Sequence, residues 1–341
     1  MGPAELPFDP ERMLADLRPW VECESPTHDA TAVYRMMDLA TRDLSPLGAQ
    51  VERILGRMGY GDCMRATLPH ARRGEPGLLL MGRMDTVHPV GTLAALPWRR
   101  EGNRCYGPGA YDLKGGNLLV LEAIRQFVQA GIETPPPVTV LFTSDEEVGS
   151  PSTRDLIEAE ASRHAAVLVP EPGGPGHEVT TGRYAHRALC DRDDGAAQSC
   201  RRPAVGRAFR HPRDGPADHR DRGHDDGGLH VQPRRDPGRG VGELRRVPCT
   251  AQVLSMAKRQ ADLDRGVEQM LALAGRDSDV RFDVTRTVTR PVWEPDARTL
   301  ALPARAEALA KQIGIPLAHR SAGGGSDGNF TGRRGCLPWM G

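Results

Sequence analysis

The chain is poor in what usually fills a large core: aromatic residues make up 4% of it and hydrophobic residues 38%, both low for a compact enzyme. Formal net charge is zero, so no global field draws nucleic acid or an anionic membrane to it. No apolar run reaches the length of a bilayer span. The opening Met1-Gly-Pro-Ala-Glu-Leu-Pro has neither a basic start nor an apolar stretch, so no export signal is expected. The seven cysteines are scattered and include no Cys-x-x-Cys pair, which argues against a structural zinc knuckle or a redox dithiol. A reducing cytoplasm is the expected location. The expected partner is a small molecule, with no nucleic acid and no membrane.

What is present is a repeated design. The run Gly77-Leu-Leu-Leu-Met-Gly-Arg-Met-Asp85 reads as a short apolar strand that stops at a polar pair, Arg83 and Asp85. A glycine-rich loop, Gly107-Pro-Gly-Ala-Tyr-Asp-Leu-Lys-Gly-Gly116, then carries Asp112 into a helix. Val138-Thr-Val-Leu-Phe-Thr-Ser-Asp-Glu-Glu147 is a second apolar strand, ending on Glu146 and Glu147. Ala166-Val-Leu-Val-Pro-Glu171 is a third, ending on Glu171. A single strand-end acid is ordinarily a solvated cap. Several in series suggest carboxylates gathered at one sheet edge, as a metal cage or an acid/base site.

With 341 residues the chain has room for two domains. Asp9-Pro10 predicts a capped helix with Met13, Leu14, Leu17, Trp20 and Val21 on one face, closed by Ser25-Pro-Thr. A second helix is predicted over 30–44. Strands are expected over 50–57, 77–84, 138–142 and 166–169, alternating with helices over 117–130 and 154–164. Such alternation predicts an α/β fold, a mainly parallel sheet with helices on both faces.

Met84-Asp-Thr-Val-His-Pro, Gly107-Pro-Gly-Ala-Tyr-Asp-Leu-Lys-Gly-Gly, Ser144-Asp-Glu-Glu-Val-Gly-Ser and Glu171-Pro together resemble the dinuclear zinc amidohydrolases. That family includes carboxypeptidase G, acetylornithine deacetylase, succinyl-diaminopimelate desuccinylase and aminoacylase, and the likeness is nearest to carboxypeptidase G. It runs from about Leu17 to Arg183 and resumes near Ala251. The resemblance implies a zinc-peptidase-like catalytic domain over 1–183, completed by 296–341, with an α+β lid and dimerisation domain over 184–295. It implies two zinc ions, Asp112 bridging them, Glu147 on one and Glu171 on the other. Glu146 would be the general base, and Asp85 would orient a ligand imidazole two residues before it. Asn329, in Gly323-Gly-Gly-Ser-Asp-Gly-Asn-Phe, would meet substrate, and Arg290 would hold a substrate carboxylate as a fork, unless it is a surface arginine. Lys114 reads as a cap on loop carbonyls. The implied reaction is hydrolysis of an amide bond that releases a carboxyl-terminal amino acid of the glutamate type from a small N-acyl or peptide-like substrate. The implied assembly is a homodimer.

The chain departs from this pattern at three places. The position two before Asp85, a histidine in the family, is Arg83, and a guanidinium offers a metal no lone pair. His88 is not expected to replace it. From Ala185 to Cys249 apolar periodicity disappears and there is no lysine, isoleucine or methionine, so the stretch is expected to be disordered and the dimer surface lost. An arginine-rich RNA-binding segment and a histidine-rich metal tract are two readings of it. Interleaved aspartates oppose the first, and the irregular spacing of His211, His219, His224 and His230 opposes the second. The third, out-of-frame translation of a GC-rich gene, is preferred because family-like text stops before the stretch and resumes after it. The carboxyl end agrees with that reading. Trp339-Met-Gly341 requires the codons TGG ATG GGN, which one base earlier decode as an ending Asp-Gly. The family's last histidine ligand is also not met, so the alternative expectation is an inactive remnant with weak or no metal binding.

Overall fold

The computed structural model describes residues 6–174, 176–193, 230–231, 249–277, 280–333 and 337–340. They fall into two compact units, Met1–Arg183 with Trp293–Gly341, and Tyr184–Val292.

In the first unit, helix α1 (Pro10–Glu22) starts where Asp9 accepts hydrogen bonds from the N–H groups of Glu11 and Arg12, with proline in its first turn. Helix α2 (Ala30–Leu44) follows, capped by Asp29. Strands β1 (Gln50–Ile54) and β2 (Cys63–Thr67) form an antiparallel pair. The centre of the sheet is β3 (Leu78–Arg83), and a small hairpin of β4 (Arg99–Glu101) and β5 (Arg104–Tyr106) lies beyond it in sequence. Helix α3 (Gly115–Gln129), β6 (Val138–Thr143), α4 (Arg154–Ala161), β7 (Ala166–Val169) and β8 (Glu178–Arg183) continue the alternation.

Residues of β3 and β6 divide between two cores, as the two-residue period of a strand demands. Leu79, Met81 and Leu141 pack with Ile157 and Ala161 of α4. Leu80, Val140 and Phe142 pack with Leu17, Trp20, Met36, Leu118 and Leu121 of α1, α2 and α3. Both faces are therefore covered, which is why these strands are apolar throughout.

The second unit holds β9 (Ala185–Asp193), β10 (His230–Val231), β11 (Cys249–Ala257), helix α5 (Gln260–Leu271), β12 (Gly275–Asp277) and β13 (Val280–Arg290). Its strands form one sheet in the order β10-β11-β9-β13-β12, and Leu263 and Val267 of α5 pack with Ala185 and Val292. Here the expectation of disorder from residue 185 is corrected. Residues 185–193 are a strand paired antiparallel with β11 along its whole length and with β13 on the other side. Backbone partners on both edges supply the order that its own composition does not. Residues 194–229 and 232–248, on which most of the out-of-frame reading rests, lie outside the described residues.

The first unit then closes with α6 (Ala297–Gln312), β14 (Ala318–Ala322), α7 (Gly328–Arg333) and β15 (Leu337–Met340). The large sheet has the order β1-β2-β6-β3-β7-β15-β8-β14. It is mixed. β3 runs parallel to β6 and β7, and β15 parallel to β7, whereas β1, β2 and β6 join antiparallel. The terminal strand β15 thus lies inside the sheet.

Gly82 shows how tightly β3 is held. A Cβ there would come within 1.9 Å of Asn117 Oδ1, and Asn117 is fully buried with its Nδ2 donating to the Arg83 carbonyl at 2.7 Å. Gly82→Ala should therefore destabilise the fold by about 1–3 kcal/mol, the usual cost of overpacking a closed core. A lowered midpoint in thermal unfolding checks it, and an unchanged midpoint would show that Asn117 can yield.

Candidate functional site

Parallel pairing brings the acidic strand ends together. Arg83 pairs with Thr143 in register, so the segments leaving β3 and β6 emerge side by side. β7 runs parallel on the other side of β3 and leads to Glu171. Asp112 sits in a kink just before α3, with φ −126° and ψ 94° inside an otherwise helical turn. The acids thus collect at the carboxyl ends of parallel strands, where open α/β sheets bind ligands.

The centre of this cluster is Arg83. It is only 2% exposed. Its Nη2 lies 2.6 Å from Asp112 Oδ1 and 2.7 Å from Glu147 Oε1, and its Nε lies 3.1 Å from Glu146 Oε2. Nη1 donates to the Asp85 carbonyl at 2.5 Å. One planar cation therefore links three acidic side chains and a main-chain carbonyl. Burial alone would lower the guanidinium's pKa, but Glu146, Asp85, Asp112 and Glu147 more than reverse this and push it above its ordinary value.

Glu146, Glu147 and Asp85 have the following partners. The carboxylates of Glu146 and Glu147, expected as general base and metal ligand, both reach Arg83. Asp85 was expected, from the resemblance, to orient a ligand imidazole at position 83, where this chain has Arg83. Its carboxylate accepts from Thr27 Oγ1 at 2.8 Å and from the N–H groups of Glu146 and Glu147 at 3.3 and 3.2 Å.

Burial raises Asp85 to about 6, with the Arg83 charge opposing. Burial likewise raises Glu147 to about 7, again against Arg83. Glu171 is raised to about 8, first by burial and then by the charges of Glu146 and Asp112.

The remaining expected residues are placed as follows. Glu171 accepts from Ser326 Oγ at 3.3 Å. Asn329, expected to meet substrate, is fully buried, and its Oδ1 accepts from the Ser326 N–H at 3.0 Å. It braces the glycine loop from within. Lys114 Nζ donates to the Cys23 carbonyl at 2.8 Å, closing the end of α1. Burial lowers Lys114 to about 8. Arg290 ends β13 in the second unit. Sequence reasoning missed Thr27, which lies in the Ser25-Pro-Thr turn that it read only as a helix breaker. It also missed Asp327, which accepts from Ser150 Oγ and from Thr143 Oγ1, the latter at 3.2 Å. Nothing in local pattern links positions so far apart in sequence.

The donor set does not fit two metal ions. The guanidinium fills the space between Asp112, Glu146 and Glu147 with positive charge and no lone pair. Among the described residues no group of three or more His, Cys, Asp and Glu side chains could hold a metal ion. His88 joins no such group.

An acidic strand-end cluster on a mixed α/β sheet with helices on both faces defines a metallopeptidase-like scaffold. The chain belongs to peptidase family M20/M25/M40, whose model matches residues 79–341. Carboxypeptidase G2 of Pseudomonas sp. (strain RS-16) is 37% identical over 167 residues, covering 49% of this chain and 40% of that protein. A succinyl-diaminopimelate desuccinylase of Methylococcus capsulatus is 38% identical over 119 residues, covering 33% of this chain and 29% of that protein. The chain thus spans less than half the length of these curated relatives. Among solved structures, the M20-family metallo-carboxypeptidase of Sulfolobus solfataricus superposes with a TM-score of 0.66 at 16% identity, covering 98% of this chain and 91% of that one. A dinuclear metal-binding M20 peptidase of Bacillus subtilis gives 0.63 at 12% identity, with coverages of 97% and 87%. At such identities the structures establish the fold. Among the described residues no helix is long and apolar enough to cross a membrane.

Thr27 offers a direct check on the site's architecture. Thr27→Val removes a donor from the fully buried Asp85 carboxylate and leaves its shape in place, which should cost about 1–3 kcal/mol. Denaturant unfolding should show the loss, whereas a Thr27→Ser variant, which keeps the hydroxyl, should lose less.

Proposed function

We propose that this chain is built on the apparatus of a metal-dependent amidohydrolase that cleaves an amide bond and releases a carboxyl-terminal amino acid, of the glutamate type, from a small N-acyl or peptide-like substrate. The observation that carries this reading is the gathering of Asp85, Asp112, Glu146, Glu147 and Glu171 around one strand-end edge in a chain of family M20/M25/M40. The likeness to carboxypeptidase G2 supports the glutamate preference. Within this reading Glu146 holds and moves the proton, since it is a buried carboxylate at the strand-end cluster, beside Asp112 and Glu147. Residues 1–183 with the closing segment form the catalytic part and residues 184–295 the lid. The zinc that the resemblance implies is the cofactor of this reading, against which the donor set around Arg83 stands, and the cytoplasm and a homodimer are its setting.

Arg83 favours a second reading. With a guanidinium among the carboxylates, the chain is a member of the family that retains the scaffold but hydrolyses nothing.

One assay separates the two. The full chain, loaded with zinc, is offered N-acylated glutamate, aspartate and alanine and the corresponding dipeptides, and amino acid release is measured. The first reading expects turnover on the glutamate substrates that Glu146→Gln abolishes. The second expects none from the native chain on any substrate. Release that survives Glu146→Gln would overturn the role given to Glu146.

A further inference from the structure

We infer that Arg83 is the resident cation of this site: its guanidinium supplies, within the chain, the positive charge that the clustered carboxylates require, so that the fold of the first unit is independent of metal. The inference deepens the second reading of the same site. It is separable from both readings because it concerns what holds the fold, which unfolding measures without any substrate.

The argument begins with burial. A carboxylate removed from water is tolerated only when opposite charge or several donors replace its hydration. Here Glu146 is 6% exposed, Asp85 1% and Glu171 9%. Asp85 is served by a threonine and two backbone N–H groups. Glu146 and the half-buried Glu147 share a different provision, the nitrogens of Arg83 at 3.1 and 2.7 Å, and the more exposed Asp112 meets the same guanidinium at 2.6 Å.

Geometry makes this more than a chance contact. The acids come from separate segments, one before α3 and two after β6, and Arg83 closes β3 between them. Its main chain is clamped, with the carbonyl bonded to the buried Asn117 and the strand paired in register to β6. A planar fork with donors on several edges can serve acids in different directions at once, which a lysine ammonium at the end of a flexible stem does less well. Being covalently attached, the cation cannot be removed by a chelator.

The test compares thermal unfolding of the full native chain with Arg83→Met, Arg83→Lys and Arg83→His, each in EDTA and each with a zinc series. The native chain should unfold at the same temperature in all conditions. Arg83→Met should unfold at a lower temperature in EDTA, and added zinc should raise that temperature progressively, because the emptied cage now accepts an external cation. Arg83→His should respond to zinc more steeply, since it adds an imidazole donor, and Arg83→Lys should fall between Met and native in EDTA. The comparison is between variants, so zinc held by histidines elsewhere in the chain cancels. If Arg83→Met matches the native chain in EDTA, the guanidinium does not hold the carboxylates and the inference fails. If the native chain is stabilised by zinc as much as Arg83→Met, the site takes an external cation despite Arg83, and the inference fails equally. Should Arg83→Met not fold, the native response to EDTA and zinc and the intermediate behaviour of Arg83→Lys still decide it.

Discussion

The site depends on one ion-pair cluster, a guanidinium against carboxylates at the carboxyl edge of a sheet. Acids brought this close repel one another and lose hydration, and both effects grow as the local dielectric falls. Arg83 meets three of them at 2.6–3.1 Å, and its own charge is reinforced in return. Each side of the pairing would be costly alone. A buried arginine without acids would lack partners for its donors, and the acids without the arginine would have to take up protons or spread apart.

The scaffold makes that pairing obligatory. Parallel strands deliver their ends to one side, and the in-register β3/β6 pair puts Arg83 beside the segment that carries Glu146 and Glu147. The apolar residues of these strands alternate into two cores, so a slip by one residue would turn Arg83 out of the cluster and expose a core leucine. The supporting polar groups lock the surroundings: Thr27 on Asp85, Ser326 on Glu171, and Ser150 with Thr143 on Asp327. The last two bring in the closing segment of the chain, which explains how a loop more than a hundred residues from β7 becomes part of the same edge.

Much of this was legible in the sequence because it is written in local periodicity. Asp9 and Pro10 announced α1, and the apolar runs ending at Arg83, Glu147 and Glu171 announced β3, β6 and β7 with their acids. What was not legible depends on partners distant in sequence. β2 carries little alternation of its own and is ordered by β1 and β6. β9 reads as arginine-rich coil and becomes a strand between β11 and β13. The bond that Asn329 accepts from the Ser326 N–H within the glycine loop was not foreseen either. Arg83 itself was seen as a lost ligand. Its position among the acids follows only once the length of its side chain is set against the spacing of the strand ends.

That spacing also shows how far a guanidinium can stand in for a metal. A divalent ion concentrates two charges at a point, while a guanidinium spreads one over a plane, so compensation by Arg83 is incomplete. Glu171 is raised to about 8, first by burial and then by the charges of Glu146 and Asp112, with Arg83 and Arg183 opposing. Glu147, which touches Arg83, is raised to about 7. Burial is the first cause of both shifts, and Glu171 is the more deeply buried of the two. An edge built by its topology to concentrate negative charge thus meets that charge in two ways, with the guanidinium of Arg83 against the acids it touches and with burial that favours the protonated form of Glu171.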